Sequence, residues 1–271
     1  NTFYASTLCF AWNEINDLIG PITSIQSDQL KEIHRSKHFL NSLDSNEIIT
    51  EAKIEGDQIT ALAKFSKVLD LITPFKHNDH PMQFDGASVN QFGCNGFNSQ
   101  VKIGHYKNES DYSIVLQPKD SMHEIILYTG NFKDVFSFEK SWKYIRGKRK
   151  NYERRNENIL KKEDSFKCPE IAFNLNKNYS KIVGTDFKGK AKISYQISKC
   201  YQEIKFLLDE NGAKVKSKAV VEAMEKDALE EIIAPKHFIF NKPFVVFLKR
   251  KDADRPYFAG YIMNADYLKI K

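Results

Sequence analysis

Phe206-Leu207-Leu208-Asp209-Glu210-Asn211-Gly212-Ala213-Lys214-Val215-Lys216-Ser217-Lys218-Ala219 is the stretch on which the reading of this chain turns. An apolar run ends in Asp-Glu-Asn-Gly, where glycine permits a backbone turn that other residues resist, and alternation then resumes. Ala213, Val215, Ser217 and Ala219 are small or apolar and share one face of an extended segment, while Lys214, Lys216 and Lys218 share the other. A flexible tether needs no such pattern. It suits a segment that can become a strand with one side buried, or an edge strand whose lysines discourage aggregation.

Apolar runs dominate the sequence around this stretch. Phe244–Leu248 and Tyr257–Met263 are joined by the charged turn Lys249–Arg255 and read as a pair of core strands. Upstream, Phe166–Leu175 and Ile193–Leu208 are strand-like, as are Tyr112, Ile114 and Leu116 in alternation and the apolar run Ile125–Leu127. Asp85-Gly86 is a hairpin signal and Gly56-Asp57 a second turn. The first 45 residues read as helical, with Phe10, Ile15, Leu18 and Ile19 at helical spacing, Pro21 as a break, and Ser27-Asp28 capping a second helix. With 20 Phe and 12 Tyr in 271 residues, 41% hydrophobic and 28% charged, the expectation is a β-rich α+β fold, a single domain over 1–271.

The chemistry-bearing motifs are sparse. No glycine-rich phosphate loop, Gly-x-Ser-x-Gly elbow or His-Glu-x-x-His pattern is present, which removes the easy enzyme classes, and the expectation is a protein without an active site or cofactor of its own. His34 with His38, or His77 with His80, could pair as metal ligands alongside a carboxylate such as Asp79, but neither pair has a third ligand at defined spacing, and no metal site is expected. Cys9, Cys94, Cys168 and Cys200 lie far apart without a Cys-x-x-Cys pair and read as buried free thiols, two disulfides being the alternative. The basic run from Trp142 to Lys150 offers Lys143, Arg146, Lys148, Arg149 and Lys150 to a polyanion. At a net charge of +6, and with Glu153, Glu157 and Glu163 nearby, only weak, salt-sensitive binding is expected. No apolar run reaches the length of a membrane span. The chain begins at Asn1, which fits removal of an export signal or lipoprotein leader and equally a trimmed boundary; the compartment stays open, with a slight preference for export.

Several motifs in order resemble the serpins. That family's reactive loop leaves the central sheet through an acidic-acidic-Gly hinge, and Phe206 to Ala219 is similar, with Glu210 and Gly212 on the hinge positions. Phe240-Asn241-Lys242-Pro243-Phe244-Val245-Val246-Phe247 followed by Tyr257-Phe258-Ala259-Gly260-Tyr261 is similar to the serpin C-terminal strand pair. Tyr112-Ser113-Ile114-Val115-Leu116-Gln117-Pro118-Lys119-Asp120 is similar to a serpin strand ending in Leu-Pro-Lys, and Cys168-Pro169-Glu170-Ile171 and Asp186-Phe187-Lys188-Gly189 follow in family order. The resemblance covers about residues 74–271. Residues 1–70 are divergent and reduced; within them Asn1–Asn13 and Leu40–Gly56 are faintly similar to uncharacterised bacterial proteins with serpin-like C-terminal halves.

The resemblance implies a large central β-sheet with packed helices and an exposed reactive-type loop, about 212–235. It implies a monomer that inhibits a serine or cysteine protease: the cleaved loop enters the sheet as a strand and drags the enzyme with it. Ala213, Val215, Ser217 and Ala219 would be the inserting face. The family's spacing places the scissile bond among Met224, Glu225, Lys226 and Asp227, and a Lys226 bait suits a trypsin-like enzyme. The three lysines and Val215 depart from the small-residue hinge of inhibitory members, which leaves a non-inhibitory serpin-fold binding protein, for a protein or polyanion ligand, as the alternative.

Overall fold

The computed structural model describes residues 1–44, 46–55, 58–65, 67–130, 137–153, 158–191, 193–213 and 234–271. Strand β1 (Thr2–Ala5) leads into helix α1 (Thr7–Ile19), the short β2 (Ser24–Ile25) and helix α2 (Asp28–Arg35). A hairpin of β3 (Ile48–Glu55) and β4 (Gln58–Phe65) follows, then the two-residue β5 (Leu69–Asp70), β6 (Lys76–Phe84) and β7 (Ala87–Asn95). Next come β8 (Val101–Asn108), β9 (Asp111–Leu116), β10 (His123–Thr129) and helix α3 (Phe138–Glu153). The remainder is extended: β11 (Ser165–Pro169), β12 (Ile171–Asn178), β13 (Asp186–Lys188), β14 (Ser194–Gln196), β15 (Tyr201–Leu208) and β16 (Gly212–Ala213). After the undescribed stretch 214–233 the chain closes with β17 (His237–Ile239), β18 (Phe244–Arg250) and β19 (Phe258–Ile262).

The last two strands pair in the core, as their apolar density predicts. They sit inside a six-stranded antiparallel sheet, ordered β1, β19, β18, β10, β9, β8. Both faces of its central strands β10, β18 and β19 are covered, which is why these read as near-continuous apolar runs rather than as alternation. On β18, Phe244, Val246 and Leu248 join the main core with Phe84, Phe166 and Phe240. Val245 and Phe247 turn to the other face, where Trp142 and Ile145 of α3 pack on them with Ile126 and Tyr261.

A second sheet, ordered β17, β11, β7, β6, lies against the main core through Phe92, Phe166 and Phe238. The β6–β7 turn is the one the Asp-Gly signal predicts: Asp85 and Gly86 both take positive φ, 48° and 78°, and Phe84 faces Ala87 across it. Glu55 faces Gln58 across the other expected turn, whose residues 56 and 57 lie outside the described residues. The expected helices form, and Ser27 caps α2 by accepting from the Leu30 amide. The expected large central sheet takes a different form. The strands beside the decisive stretch make a separate two-stranded ladder, β12 with β15, and β1 is an unexpected strand ahead of α1.

The two-faced burial of β18 gives a direct test. Phe247→Ala removes a fully buried ring seated against Trp142 and should lower the unfolding free energy by about 3–5 kcal/mol in urea titrations. Phe97→Ala, at a ring 66% exposed, should stay within about 0.5 kcal/mol of the parent chain.

Candidate functional site

Strand β15 pairs with β12 over its whole length, from Leu208 opposite Ile171 to Tyr201 opposite Asn178. At Leu208 the chain folds back on itself. Asp209 accepts from the Asn211 amide through Oδ1 at 3.0 Å, and Asp209 and Gly212 exchange both backbone hydrogen bonds, at 3.2 and 3.0 Å. The short side chain of Asp209 thus shapes the turn from within. Gly212, on the hinge position of the sequence reading, sits at φ 101°.

The turn is docked on a distant part of the chain. Gly212 and Ala213 form β16, which pairs antiparallel with β5, Gly212 opposite Asp70 and Ala213 opposite Leu69. The amide of Leu71 donates to the carbonyl of Asn211 at 2.9 Å, and that of Phe75 donates to the carbonyl of Glu210 at 2.8 Å. Leu69, Leu71 and Phe75 are all buried, so the anchor is part of the core. A Cβ at residue 212 would lie 2.4 Å from the carbonyl oxygen of Leu69 and 2.8 Å from the amide of Leu71. Glycine is required there by both conformation and space. Among the described residues, no strand other than β12 pairs along β15, so its second edge is met only by this turn.

The structure thus brings Glu210, Gly212 and Ala213 together at the end of β15. Val215, Ser217 and Ala219, and the scissile candidates Met224, Glu225, Lys226 and Asp227, lie outside the described residues.

An ion cluster anchors the receiving segment. The Lys67 ammonium lies 2.5 Å from Glu47 Oε1 and 2.7 Å from Asp120 Oδ2. His123 Nε2 lies 2.8 Å from Glu47 Oε1, and its Nδ1 is 3.2 Å from the hydroxyl of Tyr257. Glu47, Asp120 and His123 could hold a metal by their spacing, but the Lys67 ammonium already stands between the two carboxylates as a cation would. Burial pushes both carboxyls up, yet the hydrogen bonds from Lys67 and from backbone amides outweigh it and hold them below their ordinary range. Burial and then the Lys67 charge hold His123 below its ordinary value, against the pull of Glu47 and Asp120.

The histidine pairs singled out in the sequence are not what the structure assembles. His34 is tied to α1, facing the indole Nε1 of Trp12 at 3.2 Å, and His80 is exposed. Nothing is described of the side chains of His38, His77 and Asp79. A Ser-His-Asp contact also exists: His105 lies 3.0 Å from Ser113 Oγ and 2.9 Å from Asp111 Oδ1. Ser113 is wholly inaccessible, and Tyr144 of α3 donates to the other oxygen of Asp111 at 2.8 Å, so this trio pins the helix from inside the core.

The basic run divides by helix face. Lys143, Arg146, Lys148 and Lys150 are exposed on α3, Arg146 with Asp254 at 2.8 Å and Lys148 over the Tyr144 ring. Arg149 falls on the inner face with Trp142 and Ile145 and pairs with both oxygens of Glu124, at 3.1 and 3.0 Å. It therefore belongs to the packing of α3 and not to a polyanion surface, a correction that the 3.6-residue period of the helix explains. All four cysteines are free thiols; Cys168 is fully buried and the other three partly. Burial pushes Cys9 up to about 11 and Cys94 up to about 12, which makes both poor nucleophiles at neutral pH.

Comparison with known proteins yields a coarse likeness in fold. No family model matches the chain, and no curated protein matches it. Among solved structures, the serine protease inhibitor serpin-12 of Manduca sexta is similar at a TM-score of 0.46 and 13% identity. The match covers 76% of this chain and 56% of that one, so the chain spans little more than half the inhibitor's length. The likeness concerns a serpin-like fold alone.

Gly212→Ala tests the close approach of turn and anchor. It should cost clearly more than Gly86→Ala, which shares a positive φ but has open space where the methyl would go. For Gly86 about 1–2 kcal/mol is expected from the left-handed backbone, and Gly212 adds the clash with Leu69. Equal losses in urea unfolding would show that the turn does not press on β5.

Proposed function

We propose that this chain is a serpin-like protein whose segment 214–233 is offered to a serine or cysteine protease and, once cut, joins β15 as a new strand. The observation that carries this reading is the Asp209–Gly212 turn, which aims the chain back along the second edge of β15. Continuing its register would place Ala213 opposite Leu208, Val215 opposite Phe206, Ser217 opposite Ile204 and Ala219 opposite Gln202. Directly opposed residues share a face of a sheet. Those four positions of β15 are its inward ones, Leu208 and Gln202 buried and Phe206 stacked on Phe258 at 4.7 Å.

The small and apolar residues of the loop thus match the inward face of β15. The lysines match the outward face. Lys218 would face Glu203 and Lys214 would face Leu207, while Lys216 would meet Lys205, itself paired with Glu203 at 3.0 Å. Insertion would give the unmatched edge of β15 its ladder of hydrogen bonds and bury the apolar side chains of the segment. A bait at Lys226 suits an enzyme that cleaves after basic residues. The three lysines, with one like-charge pair across the ladder, favour a second reading, a serpin-fold binding protein that does not trap its protease.

Incubation with trypsin separates these readings. Limited digestion should cut first within Met224–Leu229, since this polar stretch lacks a strand pattern. An inhibitor leaves a band on denaturing electrophoresis at the combined mass of the two proteins, and the cleaved chain melts at a higher temperature than the intact one. Ser217→Glu with Ala219→Glu should abolish that stabilisation, because each charge would have to enter the buried face unpaired. A cleaved chain that melts no higher and forms no covalent band supports the binding protein. First cuts elsewhere would overturn the loop assignment.

A further inference from the structure

We propose that the Glu47–Lys67–Asp120–His123 cluster is an acid-sensitive latch: lowering the pH from neutral toward 5 loosens β5 and with it the grip on the hinge turn. The inference rests on the contacts of β5 and holds whether or not residues 214–233 act as bait.

Strand β5 is held on two sides. On one it pairs with Gly212 and Ala213; on the other the Asp70 carbonyl accepts from the Lys119 amide at 2.8 Å, and Leu71 bridges to Pro118. Both flanks of this arrangement end in the cluster. Lys67 lies two residues before β5, and Asp120 is the residue after Lys119, so the ammonium that binds Asp120 closes a loop around the strand. Glu47 completes the tie. It is positioned by the Asp44 amide, which donates to Oε2, and it holds Lys67 and His123 on a single oxygen, Oε1.

His123 is almost wholly buried, and the groups that face it come from four elements. Glu47 stands ahead of β3, Lys67 ahead of β5, Asp120 precedes β10, and Tyr257 precedes β19. Arg250, its cross-strand neighbour on β18, is engaged by Asp44 and Asp252. In the neutral ring Nε2 donates to Glu47 and Nδ1 accepts from the Tyr257 hydroxyl. Protonation puts a hydrogen on Nδ1, so the Tyr257 hydroxyl must turn over inside the core. It also sets a second cation beside Lys67 on the same carboxylate oxygen.

The titration windows separate the members of the cluster. Glu47 and Asp120 are held below their ordinary carboxyl range and Lys67 above its ordinary range, so all three keep their charge between pH 7 and 5. His123 is shifted down from 6.5 by burial first and Lys67 second. The opened state therefore binds more protons than the closed one in the interval below 6.5. The closed arrangement is fully favoured above that value and is weakened as the pH falls through the interval.

Hydrogen exchange read by mass spectrometry tests the latch on the intact chain, with protection corrected for the intrinsic pH dependence of exchange. Peptides covering 67–75 and 209–213 should lose roughly threefold or more in protection between pH 7.5 and 5, while β7 and β11 hold theirs as an internal standard. His123→Gln keeps a donor and an acceptor but cannot be protonated, so its protection should be independent of pH. A wild-type profile that is flat, or that falls equally in β7 and β11, overturns the proposal. A His123→Gln profile that falls as the wild type does also overturns it. Should that variant not fold, the wild-type comparison of 67–75 with β7 decides alone.

Discussion

The close passage of two backbones, Gly212 against Leu69 and Leu71, is the contact on which the proposed loop geometry depends. Only a residue without a side chain lets the turn after β15 come this near, and only a core-buried partner such as the Leu69–Phe75 segment gives it a fixed place to dock. The turn reverses the chain at Gly212, and under the proposed insertion that reversal would set the register in which small residues meet the inward face of β15. A looser connection would leave the same sequence without a register.

The rest of the molecule holds the two sides of this contact in place. β15 is aligned by its full-length pairing with β12, whose first residue also bridges to Leu268 near the C-terminal end. The anchor segment is fixed by buried apolar side chains and by an internal ammonium clamped between carboxylates. Such a clamp costs desolvation, and it is tolerable because Lys67, Glu47 and Asp120 satisfy one another at short range. The six-stranded sheet shares one apolar core with both. Its inner face meets the main core, and α3 closes its outer face through Trp142, Ile145 and the Arg149–Glu124 pair.

Much of the architecture was legible because it rests on local signals. Asp85-Gly86 names its own turn, Ser27 names its helix start, and the runs at Phe244 and Tyr257 are too apolar to lie anywhere but inside. The turn at Asp209–Gly212 was legible for the same reason: its two ends shape it within four residues. The site's other half was not, because Lys67, Glu47 and His123 are brought together across 20 and 76 residues by tertiary packing, with no spacing to reveal them. The basic run shows a signal that could have been used further. Trp142, Ile145 and Arg149 fall on one side of a helix, which already marks Arg149 as inward.

The most direct measurement compares hydrogen exchange along β15 in the intact chain and in the chain cleaved within 224–229. In the intact protein the amides of β15 that point away from β12 should exchange quickly. After cleavage they should become as slow as those that face β12, because residues 213–220 would then pair along them. Unchanged exchange on that edge, in a chain shown to be cleaved and folded, would contradict strand insertion.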